Sequence, residues 1–323
     1  MVEKLKYEWI KEVNEDIVWI CQLPRSGGTL LLRLFDSHPE FHCHPAVFGF
    51  NNEDRIWPQT EEIINAKDNI LNTIFSYMNL QKFHLKGVSK QSSNMKQEIY
   101  PIYFDEEWYK EIFYRSLLFP HGKKPRDYFN AFFTALFNAW RNNQNLYGNK
   151  KYITGQMTLR KPELYKKNYD NFKNVYPNGK MIFIVRKPDD WLASAYKLKV
   201  STPFLNNTPQ DIINYYKTIL KQAIQIAKDD SFIIFKFEDL VLYPKNTMYN
   251  LVKKLGIEWN ESLMHPTLNG SPFYQNSSFE HKRKAVIDPS IIGKGQDLPS
   301  SVLSVVNEEC IDLYNQVVDL IDL

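Results

Sequence analysis

Cysteine is scarce in this chain. Cys21, Cys43 and Cys310 lie far apart with no Cys-x-x-Cys spacing. An odd, unframed set of thiols excludes a disulfide scaffold and fits a reducing compartment. No stretch approaches the roughly 20 apolar residues of a membrane span. The charged segment Met1 to Glu15 lacks the apolar run of a signal peptide. The expectation is a soluble cytoplasmic protein without a membrane partner. Charge of one sign is also missing: 40 Lys+Arg against 37 Asp+Glu leave a net +3 over 323 residues. So small a surplus argues against a nucleic-acid partner, and any cation that serves an anion must be placed locally. Glycine numbers only 12, which makes the single adjacent pair, Gly27-Gly28, informative.

What is present is ordinary globular composition, 43% hydrophobic and 24% charged. Short β-branched and aromatic runs bounded by turn residues read as buried strands at 17–23, 152–156, 181–185 and 232–237. Amphipathic stretches between them predict helices over 29–36, 127–145, 209–228, 246–255 and 300–321. Gly256 is placed to close the fourth of these. Alternation of strand and helix predicts an α/β fold, a central parallel sheet flanked by helices, in one domain over 1–323. Residues 51–125 break the pattern and read as a helical or irregular insertion, a lid on the sheet's functional edge.

Two segments carry chemistry. Leu23-Pro24-Arg25-Ser26-Gly27-Gly28-Thr29-Leu30 runs from a strand through a tight turn into a helix. Such a turn aims backbone N–H groups and the positive end of the helix at one point, an anion site for which phosphate is the usual guest. Arg25 adds a fixed charge, and Ser26 and Thr29 add hydroxyls. The segment lacks the first glycine and the Gly-Lys-Ser/Thr of a P-loop, and so the lysine and the Mg²⁺-holding hydroxyl of a nucleoside triphosphatase. The second segment is Arg186-Lys187-Pro188-Asp189-Asp190-Trp191-Leu192-Ala193-Ser194, in which Ser194 follows Arg186 by eight residues. An arginine fork with a hydroxyl suits a second phosphate. The competing reading pairs Arg186 with Asp189 or Asp190 at the surface.

These segments, with Lys236-Phe237-Glu238-Asp239-Leu240 and the following Pro244 to Gly256, resemble the sulfotransferases that use 3′-phosphoadenosine 5′-phosphosulfate. The first motif is most similar to the tyrosylprotein branch and related bacterial enzymes. The resemblance implies a P-loop-like sulfotransferase fold and transfer of a sulfuryl group to a hydroxyl or amine of a small-molecule or conjugate acceptor, with no metal. It implies that Arg25, Ser26, Gly27, Gly28, Thr29 and Leu30 wrap the 5′-phosphosulfate. Arg186 and Ser194 would hold the 3′-phosphate, and Arg25 would stabilise charge on the leaving group. Glu238 and Asp239 are assigned to structure, bracing the next turn. The basic stretches His281 to Lys284 and Gly293-Lys294-Gly295 read as a solvated charge run. By elimination the insertion belongs to the acceptor side. The alternatives are a nucleotide-dependent phosphotransferase of related fold, and a non-catalytic nucleotide-binding protein.

The general base is where the sequence departs from the family. The tyrosylprotein branch places a Glu shortly after its His-Pro segment, whereas here the run reads His38-Pro39-Glu40-Phe41-His42-Cys43-His44-Pro45-Ala46 with no acid after Glu40. Other branches use a histidine. In an extended chain His42 and His44 share one face and Phe41 and Cys43 the other. His44 is the first expectation for the base, then His42, then His84 or an acid of the insertion. His38 reads as a helix-terminating residue.

Overall fold

Five strands, β1 (Asp16–Gln22), β2 (Phe41–Val47), β3 (Tyr152–Thr158), β4 (Lys180–Val185) and β5 (Phe232–Lys236), form one parallel sheet in the spatial order β2-β3-β1-β4-β5. The computed structural model describes residues 9–51, 54, 56–66, 69–75, 102–118, 124–158, 161–196, 208–273 and 286–322. Its longer helices are α1 (Gly28–Phe35), α2 (Glu106–Leu118), α3 (Pro125–Ala139), α4 (Tyr165–Val175), α5 (Pro188–Tyr196), α6 (Pro209–Ile226), α7 (Phe237–Leu242), α8 (Pro244–Leu255) and α9 (Ser300–Val318). The α/β architecture expected from the alternating pattern is the one observed.

Successive strand side chains point to opposite faces, which divides each strand between two cores. Ile17, Trp19 and Cys21 of β1 join α3, α4, α6 and α9 in one hydrophobic cluster. Val18 and Ile20 join α1 and α8 in the other. The helix ends follow local chemistry. Thr208 and Asp211 form a reciprocal capping box ahead of Pro209 in α6. Gly256, at φ 72°, closes α8 in the left-handed conformation that a glycine adopts without strain.

The insertion is continuous with this core in its described part. Trp57 stacks on Phe129 of α3 with ring centroids 4.8 Å apart. Phe75, Tyr109 and Phe113 belong to the same cluster as β1 and α3. His84 and the basic run His281 to Lys284 lie outside the described residues. β2 is a strand that the propensity pattern did not single out. Its ladder with β3 breaks between Cys43 and Val47, where Pro45 has no N–H to donate. The Pro45 carbonyl instead accepts from Arg33 of α1 at 2.6 Å.

Strand order places the site. From β1 the chain moves to β2 and returns through β3 on one side, then crosses to β4 and β5 on the other. The direction of winding therefore reverses between β1 and β4, and ligands of open α/β sheets bind at the carboxyl ends of such strands. Both anion motifs begin there. Among the described residues no helix is long and apolar enough to cross a membrane.

Candidate active site

The turn after β1 is built around two unusual backbone conformations. Arg25 has φ 69° and Gly27 φ 92°. For arginine the left-handed region is strained, and such strain gathers at functional sites. Gly27 is required twice over, because a Cβ there would also lie 2.4 Å from the Phe237 ring. Gly28 is packed against Gln22, 2.0 Å from where its Cβ would be. The first intrahelical bond of α1 runs from Leu31 N to Gly27 O, so the amides of residues 28–30 precede the ladder and no side chain caps them.

The polar groups of the loop differ in availability. Ser26 is 0% exposed, and its Oγ is buried without a hydrogen-bond partner. A buried hydroxyl left in that state costs on the order of 1–3 kcal/mol, a cost that a ligand oxygen would remove. Thr29 donates to Gln156 Oε1 on β3 at 3.1 Å. Trp191 of α5 donates its indole N–H to Pro24 O at 2.7 Å, which ties the start of the loop to the second motif.

The two motifs meet directly. Arg25 Nε donates to Ser194 Oγ at 3.3 Å. Arg186 Nη1 donates to Arg25 O at 3.0 Å and Nη2 to Ile291 O at 3.1 Å. The Arg186 guanidinium, in a residue 5% exposed, lies 4.6 Å from the centroid of the Phe237 ring. The Arg186 carbonyl accepts from Tyr216 Oη at 2.8 Å, which fixes the turn that follows β4.

The two aspartates beside Arg186 have other employment. Asp189 pairs with Lys187 at 3.0 Å. Asp190 accepts from the backbone of Gly293 and Gly295. Glu238 accepts from Lys187 N at 3.0 Å, bracing the turn after β4. Burial raises its carboxyl pKa above the usual range.

Arg25, Ser26, Gly27, Gly28, Thr29, Leu30, Arg186 and Ser194 thus lie at the carboxyl ends of two neighbouring strands. His44 lies on β2, next to β3. It is 2% exposed, edge-on to Phe48 at 5.3 Å, and its Cβ lies beside Gly155 of β3. Gly155 directly precedes Gln156, the residue that accepts from Thr29.

His42 shares that face and is also buried, stacked on Phe137 at 5.1 Å. Its pKa is lowered to about 3, by burial first and then by the charges of Lys150 and Lys11. The described side chains of β2, Phe41 to Pro45, are buried on both faces. His38 is held by Glu258 O at 2.9 Å and accepts from Glu40 N at 3.2 Å, a clip at the amino end of the sheet. Among the described residues no group of three or more His, Cys, Asp or Glu is placed to hold a metal ion.

Gln156, Trp191, Tyr216 and Phe237 are the site residues that sequence reasoning missed. Trp191 and Phe237 stood inside the recognised motifs. Gln156, an amide side chain within a buried strand, was the remaining visible signal.

Loop, sheet edge and arginine fork bring two donor-rich turns together at one edge of an α/β sheet. The chain belongs to the sulfotransferase family, whose sequence model matches residues 18–261. It is 23% identical over 294 residues to protein-tyrosine sulfotransferase 2 of Gallus gallus, covering 88% of this chain and 63% of that one. It is 23% identical over 260 residues to the protein-tyrosine sulfotransferase of Drosophila melanogaster, covering 77% of this chain and 40% of that one. The chain therefore spans less than two thirds of the length of these curated relatives. Among solved structures, the sulfotransferase domain from the Synechococcus PCC 7002 olefin synthase aligns with a TM-score of 0.49 at 16% identity, covering 97% of this chain and 98% of that one. The sulfotransferase domain from the curacin biosynthetic pathway aligns with a TM-score of 0.48 at 14% identity, covering 91% and 96%.

Proposed function

We propose that the chain transfers a sulfuryl group from 3′-phosphoadenosine 5′-phosphosulfate to a hydroxyl or amine of a small-molecule or protein acceptor. One observation carries the reading: the Arg25–Ser194 and Arg186–Arg25 contacts join two anion motifs into a single site. A ligand with two separated phosphate-like groups fits that arrangement better than one with a single group. The donor supplies an activated sulfuryl group. The amides that open α1, with Ser26 Oγ and Arg25, are the donors available to its 5′ end, and Arg186 and Ser194 to its 3′ end. Fixed donors at the leaving oxygen lower the barrier because they need no reorganisation as charge develops. A reducing, cytoplasmic setting suits three thiols that are all free and buried.

The burial of His44 favours a packing role over that of proton acceptor, which directs the search for the base to the acceptor side. It also gives weight to a second reading, nucleotide binding without turnover. Calorimetry comparing 3′-phosphoadenosine 5′-phosphate with adenosine 5′-phosphate tests the site. The expected result is clear preference for the first, and equal affinity would overturn the reading. An acceptor screen with labelled donor then separates enzyme from binding protein.

A further inference from the structure

Residues 286–299 form a strap beside the Arg186 turn, made of two short helical turns, Pro289–Ile291 and Lys294–Asp297, with Gly293 at φ 79° between them. A buried carboxylate ties it to α5. Asp190, in the first turn of α5 and 1% exposed, accepts from Gly293 N through Oδ2 at 2.8 Å and from Gly295 N through Oδ1 at 2.7 Å. More than 100 residues of chain separate the partners. Both carboxylate oxygens are thus spent on the strap. Fit is close on the strap's side as well, since a Cβ on Gly295 would lie 2.6 Å from Asp189 Cβ. The strap in turn gives its Ile291 carbonyl to Arg186 Nη2 at 3.1 Å.

From this chain of contacts the geometry points to Asp190 as a positioning residue for the 3′-phosphate end of the site. Asp190 fixes the strap, and the strap fixes one arm of the Arg186 fork while Arg25 O fixes the other. The role rests on the donor reading above. Charge-assisted bonds to a buried carboxylate are among the stronger ones, and losing the carboxylate leaves two amides without their acceptor. An electrostatic role makes the opposite prediction. If Asp190 acted only as a negative charge near Arg186, removing it would tighten the binding of any anion.

The test uses the full chain with Asp190→Ala and, from the strap's side, Gly295→Ala, which leaves the carboxylate in place. Trypsin cleavage after the exposed Lys294 under native conditions reads the strap. Calorimetry with 3′-phosphoadenosine 5′-phosphate and adenosine 5′-phosphate reads the site. Both variants are expected to speed cleavage at Lys294 at least tenfold. Both should lower the preference for the 3′-phosphorylated nucleotide at least tenfold, with adenosine 5′-phosphate affinity changed less than threefold. If Asp190→Ala fails to fold, Gly295→Ala carries the same comparison. Unchanged cleavage in the folded variants overturns the latch. Faster cleavage with an unchanged preference, or tighter binding of both nucleotides, overturns the positioning role. A wild-type chain that binds neither nucleotide overturns the donor reading, and with it this role of Asp190, while the cleavage rates report the latch separately.

Discussion

Arg25 and Ser194 are 169 residues apart in the chain and 3.3 Å apart in the fold, the Nε of one donating to the Oγ of the other. Each was expected at a different end of a doubly phosphorylated ligand. Their contact ties the turn after β1 to the helix after β4.

Arg186→Ala should erase the preference for a nucleotide carrying a 3′-phosphate while leaving the melting temperature within a few degrees. A charge-assisted contact of this kind is worth about 1.5–3 kcal/mol, or on the order of ten- to a hundredfold in affinity. Calorimetry with the two nucleotides measures it, and a retained preference would remove Arg186 from the site.

Gly27→Ala should damage the loop and the fold together. The added Cβ meets the Phe237 ring and the backbone stays at φ 92°, so a cost of about 1–3 kcal/mol is expected. Denaturant melts give the stability loss. Nucleotide binding should weaken in the remaining folded fraction, because the amides at the start of α1 are displaced.

His44→Ala separates packing from proton transfer. A buried ring lost from an aromatic contact should lower stability by about 1–3 kcal/mol, with turnover per folded molecule changed less than threefold. A general base would cost about 10²–10⁴ in turnover instead. Measuring melting temperature and turnover on the same preparation distinguishes the two, and a stable variant with a 10²-fold slower rate would restore His44 as the base.

Acid should destabilise the fold through His42. Its pKa is about 3 in the folded chain against about 6.5 when unfolded. Between these values the unfolded chain binds the extra proton, so stability is full above the unfolded pKa and falls as pH drops toward the folded one. The slope contributed is at most about 1.4 kcal/mol per pH unit. The groups around the ring are Lys150 and Lys11, with Glu15 Oε1 at 3.8 Å from Nε2. His42→Phe should flatten this part of the profile in pH-dependent denaturant melts, and an unchanged slope would show that other groups carry it.

The form of the two turns was legible in the sequence because its determinants are local. A strand, a left-handed glycine and a helix start within seven residues specify a tight turn with helix-start amides, and the Arg186 to Ser194 spacing specifies one turn and two helical turns. Four of the five sheet strands were visible for the same reason, since β-branched apolar runs need no distant partner to be recognised. β2 was hidden because its histidines and proline obscure the apolar pattern, and what makes it a strand is the ladder with β3, more than 100 residues later.

The sequence by itself determined which residues stand in the two turns at the sheet edge; only the tertiary structure decided what those residues lean on. Alternation put His42 and His44 on one face, as read from the chain, but whether that face is open depends on α3 and the aromatic cluster around Phe48, Phe133 and Phe137. Asp190 looked like a surface partner for Arg186 and is instead the anchor of a strap whose glycines lie 103 and 105 residues onward. Burial and long-range hydrogen bonds are properties of chain segments brought together by the cores on both sheet faces, and no window of neighbouring residues contains them.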